Sequence, residues 1–242
     1  MNDTISQLFD RKSVRVFTDR AIASEDKTLI LEAAAQAPTA GNQQLYTILD
    51  ITDQALKEKL VDTCDHQPFI AQSPLVLIFC ADCLKWYDAY RAVGCDARDP
   101  GVGDLLLAVN DALIAAQNAV TAAHSLGIGS CYIGDIMENY EQQKELLGLP
   151  EYVFPAAMVV FGYPTAQQLA REKPPRSPKE RIVHENRYRR MDADELRQLL
   201  KVKAGKRDYE QWLRAFCDRK YDSDFSREMT RSVKRYLGEY HG

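Results

Sequence analysis

The segment Asp104–Gly127, "DLLLAVNDALIAAQNAVTAAHSLG", limits the possible folds more than any other part of the chain. Its composition and spacing predict the longest helix of the protein, stopped by Gly127. The polar residues fall together as Asn110 and Asp111, Gln117 and Asn118, and His124 and Ser125. The rest of the surface is apolar and rich in alanine, so the helix must be covered on several sides, within one large core or between subunits. His124 lies in the polar stripe and reads as a hydrogen-bonded structural residue.

A chain of 242 residues, 45% hydrophobic and 27% charged, can bury a large core and fits one domain or a domain with an elaborated end. The net charge of -4 and pI of about 5.7 give no protein-wide field for phosphates, which excludes nucleic acid as an expected partner. The start "MNDTISQLFD" has no apolar signal region, and runs such as "PLVLIFCA" (Pro74–Ala81) are too short to span a bilayer. A cytoplasmic protein with no membrane partner is expected. Six scattered cysteines then read as reduced thiols. Cys80 and Cys83 form a C-x-x-C that closes an apolar run instead of opening a helix, and no second pair completes a zinc site. No metal is expected.

Glu25–Gln36 has apolar positions at helical spacing, with Ser24 as its N-cap. The turn "APTAGNQQ" breaks it. "LYTILDIT" (Leu45–Thr52) alternates as a strand, "DQALKEKLVDTC" is a charged helix, and "SPLVLIFCA" is a second, fully buried strand. Residues 82–103 mix aromatics, charges and turn residues without a steady period, as surface excursions over sites do. After the long helix come the glycine-rich strand "IGSCYIGDI" (Ile128–Ile136), a helix over "NYEQQKELLG" and the strand "VFPAAMVVFGYP" (Val153–Pro164). A loop rich in prolines and cations, "REKPPRSPKER" (Arg171–Arg181), precedes a helical end that starts near Asp192. With no βαβ alternation and no repeat, the order predicts one α+β domain, residues 1–191, and its helical C-terminal extension, residues 192–242.

P-loop, zincin and serine-esterase signatures are missing. "GIGSCYIG" (Gly127–Gly134) has Tyr132 where a dinucleotide fingerprint needs its third glycine, and it runs from helix to strand, the reverse of the Rossmann order. Four features remain: the cations of "RKSVRVF" (Arg11–Phe17), the "APTAGNQQ" turn, the glycine of "SCYIGD" and the "KPPRSP" loop. Their order along the chain, with the alanine-rich helix and "LPEYVFPAAMVVFGYP" between them, resembles the FMN-dependent nitroreductase and flavin reductase family. It is most similar to the longer, NADPH-preferring branch with an added helical C-terminal region. The resemblance implies a nitroreductase-like mixed central β-sheet flanked by helices, and a homodimer with two FMN sites at the subunit interface, each built from both chains.

Carried onto this sequence, the resemblance places Arg11, Lys12, Ser13 and Arg15 at the FMN phosphate or ring, joined by Arg176 and by Lys173. Guanidinium groups suit a phosphate because they form charge-assisted, often bidentate hydrogen bonds. Thr39, Ala40, Gly41 and Asn42 correspond to a segment with which one chain reaches over the FMN of the other, and Gln67 to an amide on the pyrimidine or ribityl edge. Tyr132 and Ile133 line the flavin face, where the backbone N–H of Gly134 or Asp135 points at N5. The implied reaction is ping-pong, with NADPH or NADH reducing FMN before a nitroaromatic, quinone or flavin accepts the electrons. No catalytic acid, base or nucleophile is nominated. Lys203, Lys206 and Arg207 lie where the longer branch has a basic segment for the NADPH 2'-phosphate, the alternative being a solvated charge run. Trp86, Tyr87, Tyr90 and Arg91 form either a lid for small planar acceptors or an edge of the dimer. The competing class is a flavin- or nucleotide-binding sensor or regulatory module with weak turnover.

Overall fold

Runs of β-branched and aromatic residues become four strands in the computed structural model, which describes residues 1–242. These are β1 (Tyr46–Asp50), β2 (Leu75–Asp82), β3 (Gly129–Ile133) and β4 (Val153–Gly162), in the spatial order β1-β2-β4-β3. All three pairings are antiparallel; the parallel component is the single bridge Ser13–Ser130. Central β2 and β4 are buried from end to end, as their continuous apolar runs require. Alternation assigns Leu75, Leu77 and Phe79 to one face with the long helix, and Val76, Ile78 and Cys80 to the other.

Before the long helix come α1 (Asp3–Asp10), α2 (Ser24–Ala35), α3 (Gln54–Thr63), α4 (Phe69–Gln72) and α5 (Leu84–Ala92). The long helix is α6 (Val102–Ser125), followed by α7 (Tyr140–Leu147) and α8 (Ala166–Ala170). Helix α9 (Ala193–Ala204), α10 (Tyr209–Lys220) and α11 (Asp224–Leu237) complete the chain. Ser24 opens α2 as its first residue and Ala23 holds the cap position, so the expected side-chain cap does not form. Gly127 ends the α6 turn with φ 74°: its N–H bonds to the His124 carbonyl at 3.0 Å and the Ile128 N–H to that of Ala123 at 2.9 Å.

The chain divides into two units, Met1–Arg171 with Glu228–Gly242, and Glu172–Arg227. The 191/192 division read from the sequence falls inside the second. In the first, Tyr236 of α11 is fully buried, edge-on to Tyr140 at 4.6 Å and to Phe154 at 5.0 Å. In the second, Arg197, Arg207 and Arg219 lie over Tyr209, Trp212 and Phe216 along α10.

By length and composition α6 could cross a bilayer, unlike the shorter run Pro74–Ala81. Here it is the core helix: Ala108, Ala112, Ala115, Ala116, Ala119 and Ala123 are fully buried, and small side chains bring it close to the sheet. Its other side exposes Val102, Leu106, Leu107, Leu113 and Ile114. Asp111, grouped by sequence with the polar stripe, is instead 3% exposed. Residues 82–103 hold a helix that their uneven pattern concealed, because Asp82 Oδ1 accepts the N–H groups of Leu84 (3.1 Å) and Lys85 (3.3 Å) and so starts α5.

Candidate functional site

The segment Arg11–Thr18 leaves α1 in extended form and is stitched to the sheet at both ends. Val14 N–H donates to the Ser130 carbonyl at 2.9 Å, and Thr18 N–H to that of Tyr163 at 2.8 Å. Glycines permit this approach: a Cβ on Gly129 would meet Val14 Cγ2 at 2.7 Å, and one on Gly162 would meet Phe17 at 2.7 Å. Two features far apart in sequence, "RKSVRVF" and "SCYIGD", therefore lie side by side.

The three cations of that segment have separate fates. Arg11 and Arg15, with the Ser13 hydroxyl, act on the Cys131 thiol: burial pushes it up, and these three groups pull it back. Arg11 also opposes the burial that pushes the neighbouring Tyr132 phenol up to about 12. One guanidinium nitrogen of Arg11, Nη1, is buried without a partner, while Arg15 is exposed. Lys12 turns elsewhere; its ammonium donates to the carbonyls of Leu169, at 2.7 Å, and Arg171, behind α8. Arg171 in turn donates to the Ser13 carbonyl, a contact that sequence reading missed. A buried, unpartnered guanidinium nitrogen beside a second guanidinium and a hydroxyl suits a phosphate-bearing group such as FMN.

Beyond Cys131, β3 ends at Ile133 and the chain enters a 3-10 turn, Gly134–Met137, with Ile133 buried, Tyr132 half-buried and Gly134 exposed. Gln67 approaches this turn through Cys64: its Nε2 donates to the Cys64 carbonyl at 3.0 Å, and the Asp135 carboxylate acts on the Cys64 thiol. Burial pushes the thiols of Cys64, Cys80 and Cys83 up to about 12, which makes them inert at neutral pH.

Next to Asp135, the buried Glu138 carboxyl has Oε1 unpartnered. Burial first, then the charges of Asp135, Asp65 and Glu228, push it up to about 7. A carboxyl raised on folding binds more protons folded than unfolded, so its favourable contribution is complete below the unfolded value of about 4.3 and is lost as pH rises through 7. Glu138→Gln is therefore expected to stabilise the protein by about 2 kcal/mol at pH 8, with the gain vanishing near pH 4. Urea unfolding at the two pH values checks it; equal midpoints at pH 8 would mean that the carboxyl ionises freely.

The "APTAGNQQ" turn is tied to α6 and α5. Asp111 accepts Ala40 N–H on one oxygen at 3.0 Å and Leu45 N–H on the other at 3.2 Å. Thr39 Oγ1 accepts Gln44 N–H at 3.1 Å, and Trp86 Nε1 donates to the Gln43 carbonyl at 2.7 Å. Gly41, Asn42 and Gln44 all have positive φ. A pocket of about 280 Å³ opens beside the turn, lined among others by Gln43, Trp86, Tyr87, Tyr90 and Leu107 and by no residue of the cation cluster. The sequence placed Asp111 in the polar stripe and Trp86 in a lid or dimer edge, and the hold of both on this turn was not foreseen, although an acid amid alanines was a usable signal.

In the second unit, Lys173 and Arg176 lie on a segment without regular secondary structure, with Arg176 exposed. Lys203 and Lys206 are exposed at and after the end of α9, whereas Arg207 caps that helix, its Nε on the Ala204 carbonyl and its Nη2 on that of Lys203, both at 2.9 Å.

Fold and site together define an α+β protein with two guanidinium groups and a hydroxyl gathered beside an edge strand. The chain belongs to the nitroreductase family, which matches residues 8–163. It is 31% identical over 242 residues to the FMN reductase [NAD(P)H] of Bacillus subtilis, covering 98% of this chain and 91% of that one. It is 37% identical over 192 residues to the oxygen-insensitive NADPH nitroreductase of Salmonella typhimurium, covering 79% and 77%. The solved NADPH:FMN oxidoreductase of Vibrio harveyi, complexed with NAD+, is similar at a TM-score of 0.76 and 26% identity over 99% of this chain and 98% of that one.

Proposed function

We propose that this chain is an FMN-containing oxidoreductase that takes hydride from NAD(P)H and passes electrons to nitroaromatic, quinone or flavin acceptors by a ping-pong cycle. The observation that carries it is the unpartnered Arg11 guanidinium nitrogen, beside Arg15 and Ser13, on a segment bridged at Ser13 to Ser130 of β3, the strand that leads directly to Gly134. When bound, FMN supplies a ring that accepts hydride and donates electrons. The protein's part is to hold and orient: Arg15, Ser13 and Arg11 receive the phosphate, and Lys12 supports them by fixing the end of α8. The family resemblance assigns Arg176 and Lys173 to the same phosphate. Gln67 holds the polar edge, Tyr132 and Ile133 line a face, and the N–H of Gly134 or Asp135 orients N5.

Thr39–Asn42 belong in this reading to the FMN site of a second copy. The exposed Leu106, Leu107, Leu113 and Ile114 of α6 support a homodimer, since several large apolar side chains on one side of a core helix call for cover. Six free thiols fit a reducing compartment, and we assign the protein to the cytoplasm.

Residues 172–227 carry a net charge of +5 although the whole chain carries -4. This supports a role for Lys203, Lys206 and Arg207 in holding the NADPH 2'-phosphate. Because Arg207 is engaged at the end of α9, Lys206→Ala is expected to raise the KM for NADPH roughly fivefold and leave that for NADH unchanged. Equal effects on both donors would remove the assignment.

The reading as a whole is tested by colour. Purified protein reconstituted with FMN should be yellow, bleach on anaerobic addition of NADPH and recolour with a nitroaromatic or quinone. A protein that takes up no FMN refutes it, and one that binds FMN without turnover is the sensor instead.

A further inference from the structure

We propose that Asp111 is a positioning residue for the flavin-contacting turn and couples that turn to the helix that carries the apolar face. The inference rests on the FMN reading and goes beyond it, because Asp111 itself touches neither cofactor nor substrate. A carboxylate that is 3% exposed is costly to bury unless its oxygens are hydrogen-bonded. Here both oxygens accept backbone N–H groups, from Ala40 and Leu45, which bracket Gly41–Gln44. Such bonds to an ionised acceptor are about twice as strong as neutral ones.

The bracketed residues need that hold. Gly41 and Asn42 have φ 56° and Gln44 φ 50°, and a non-glycine residue in the left-handed region costs on the order of 1–3 kcal/mol. Other side-chain bonds hold single points of the turn: Thr39 at the Gln44 N–H, Trp86 at the Gln43 carbonyl, Lys85 at the Gln44 carbonyl, and the Gln43 and Gln44 amides on Tyr90 and the Ala35 carbonyl, whereas Asp111 ties both flanks, Ala40 and Leu45, to α6. Asp111 sits mid-way along α6, which exposes Leu106, Leu107, Leu113 and Ile114; Leu107, four residues before it, and Ile114, three after, lie on its own side of the helix. A second copy packed on those residues would therefore receive Thr39–Asn42 at a height set by the Asp111 carboxylate. Seating of the cofactor then depends on a buried acid that does not contact it.

The test compares wild type, Asp111→Ala and Asp111→Asn as apo-protein titrated with FMN by fluorescence quenching, with melting points recorded with and without saturating FMN. Asp111→Ala should raise the Kd for FMN by tenfold or more and shrink the melting-point gain that FMN confers. Asp111→Asn, which keeps one acceptor oxygen, should show a smaller rise and a partial rescue. A purely structural role would lower the melting points of both forms equally and leave Kd unaltered; Kd values within twofold of wild type in folded Asp111→Asn overturn the proposal. Should Asp111→Ala not fold, Asp111→Asn decides alone. A wild type that takes up no FMN overturns the functional reading, and this inference with it, so that failure is visible in its own arm.

Discussion

Arg15→Ala should purify as a stable protein largely stripped of FMN. Arg15 is exposed, and the hydrogen bond that ties it to the fold uses its backbone N–H, which donates to Gln168 Oε1 at 3.3 Å. Its side chain lies with Ser13 and Arg11 over Cys131, so truncation removes charge from the cradle and little from the core. Loss of one charge-assisted phosphate contact, about 1.5–3 kcal/mol, corresponds to a Kd for FMN weakened roughly 10- to 100-fold. Lys12→Ala should behave oppositely. Its ammonium holds the carbonyls of Leu169 and Arg171, so stability falls more than flavin content. Flavin absorbance per chain after gel filtration, read against the melting point, separates the two. Full FMN occupancy in Arg15→Ala would end the phosphate assignment.

Gly134→Val should leave the apo fold intact and cut NADPH-dependent turnover by about 100-fold or more, the scale of losing positioned geometry at a reacting centre. The nearest atom to a Cβ on Gly134 is Met137 Cε at 3.9 Å, an ordinary contact, and its backbone is not left-handed. Nothing within the chain therefore requires glycine there, so a loss of turnover in the variant would come from the flavin proposed to lie over the exposed end of β3. Gly129→Val provides the contrast: its Cβ meets Val14 at 2.7 Å, so overpacking should cost about 1–3 kcal/mol of stability. Wild-type turnover in Gly134→Val, measured by stopped-flow flavin reduction, would show that no flavin faces this glycine.

Local periodicity was enough for most elements. The alanine-rich run became α6, and the apolar runs from Leu75 and Val153 became the two central strands, because spacing of 3.6 or 2 residues reports which face is buried. Helix α5 escaped because the acid that starts it, Asp82, sits at the end of the preceding strand and its aromatics follow no single stripe. The sequence groups Asp111 with Asn110 in the polar stripe of α6 without showing that it is buried, since pattern alone cannot show that two backbone N–H groups arrive to meet it.

The amino-acid sequence by itself determined the alternation of elements, the covered central helix and the presence of two guanidinium groups and a hydroxyl within five residues, Arg11–Arg15. Motif order along the chain also pointed to the nitroreductase family that residues 8–163 match. Only the tertiary structure decided which cation does what: Arg11 and Arg15 turn to β3, and Lys12 to carbonyls 157 and 159 residues away. The physical reason is range. Helical and strand periods act between neighbours in the chain, whereas a hydrogen bond or a desolvated charge answers to whatever backbone folds to within about 3 Å of it.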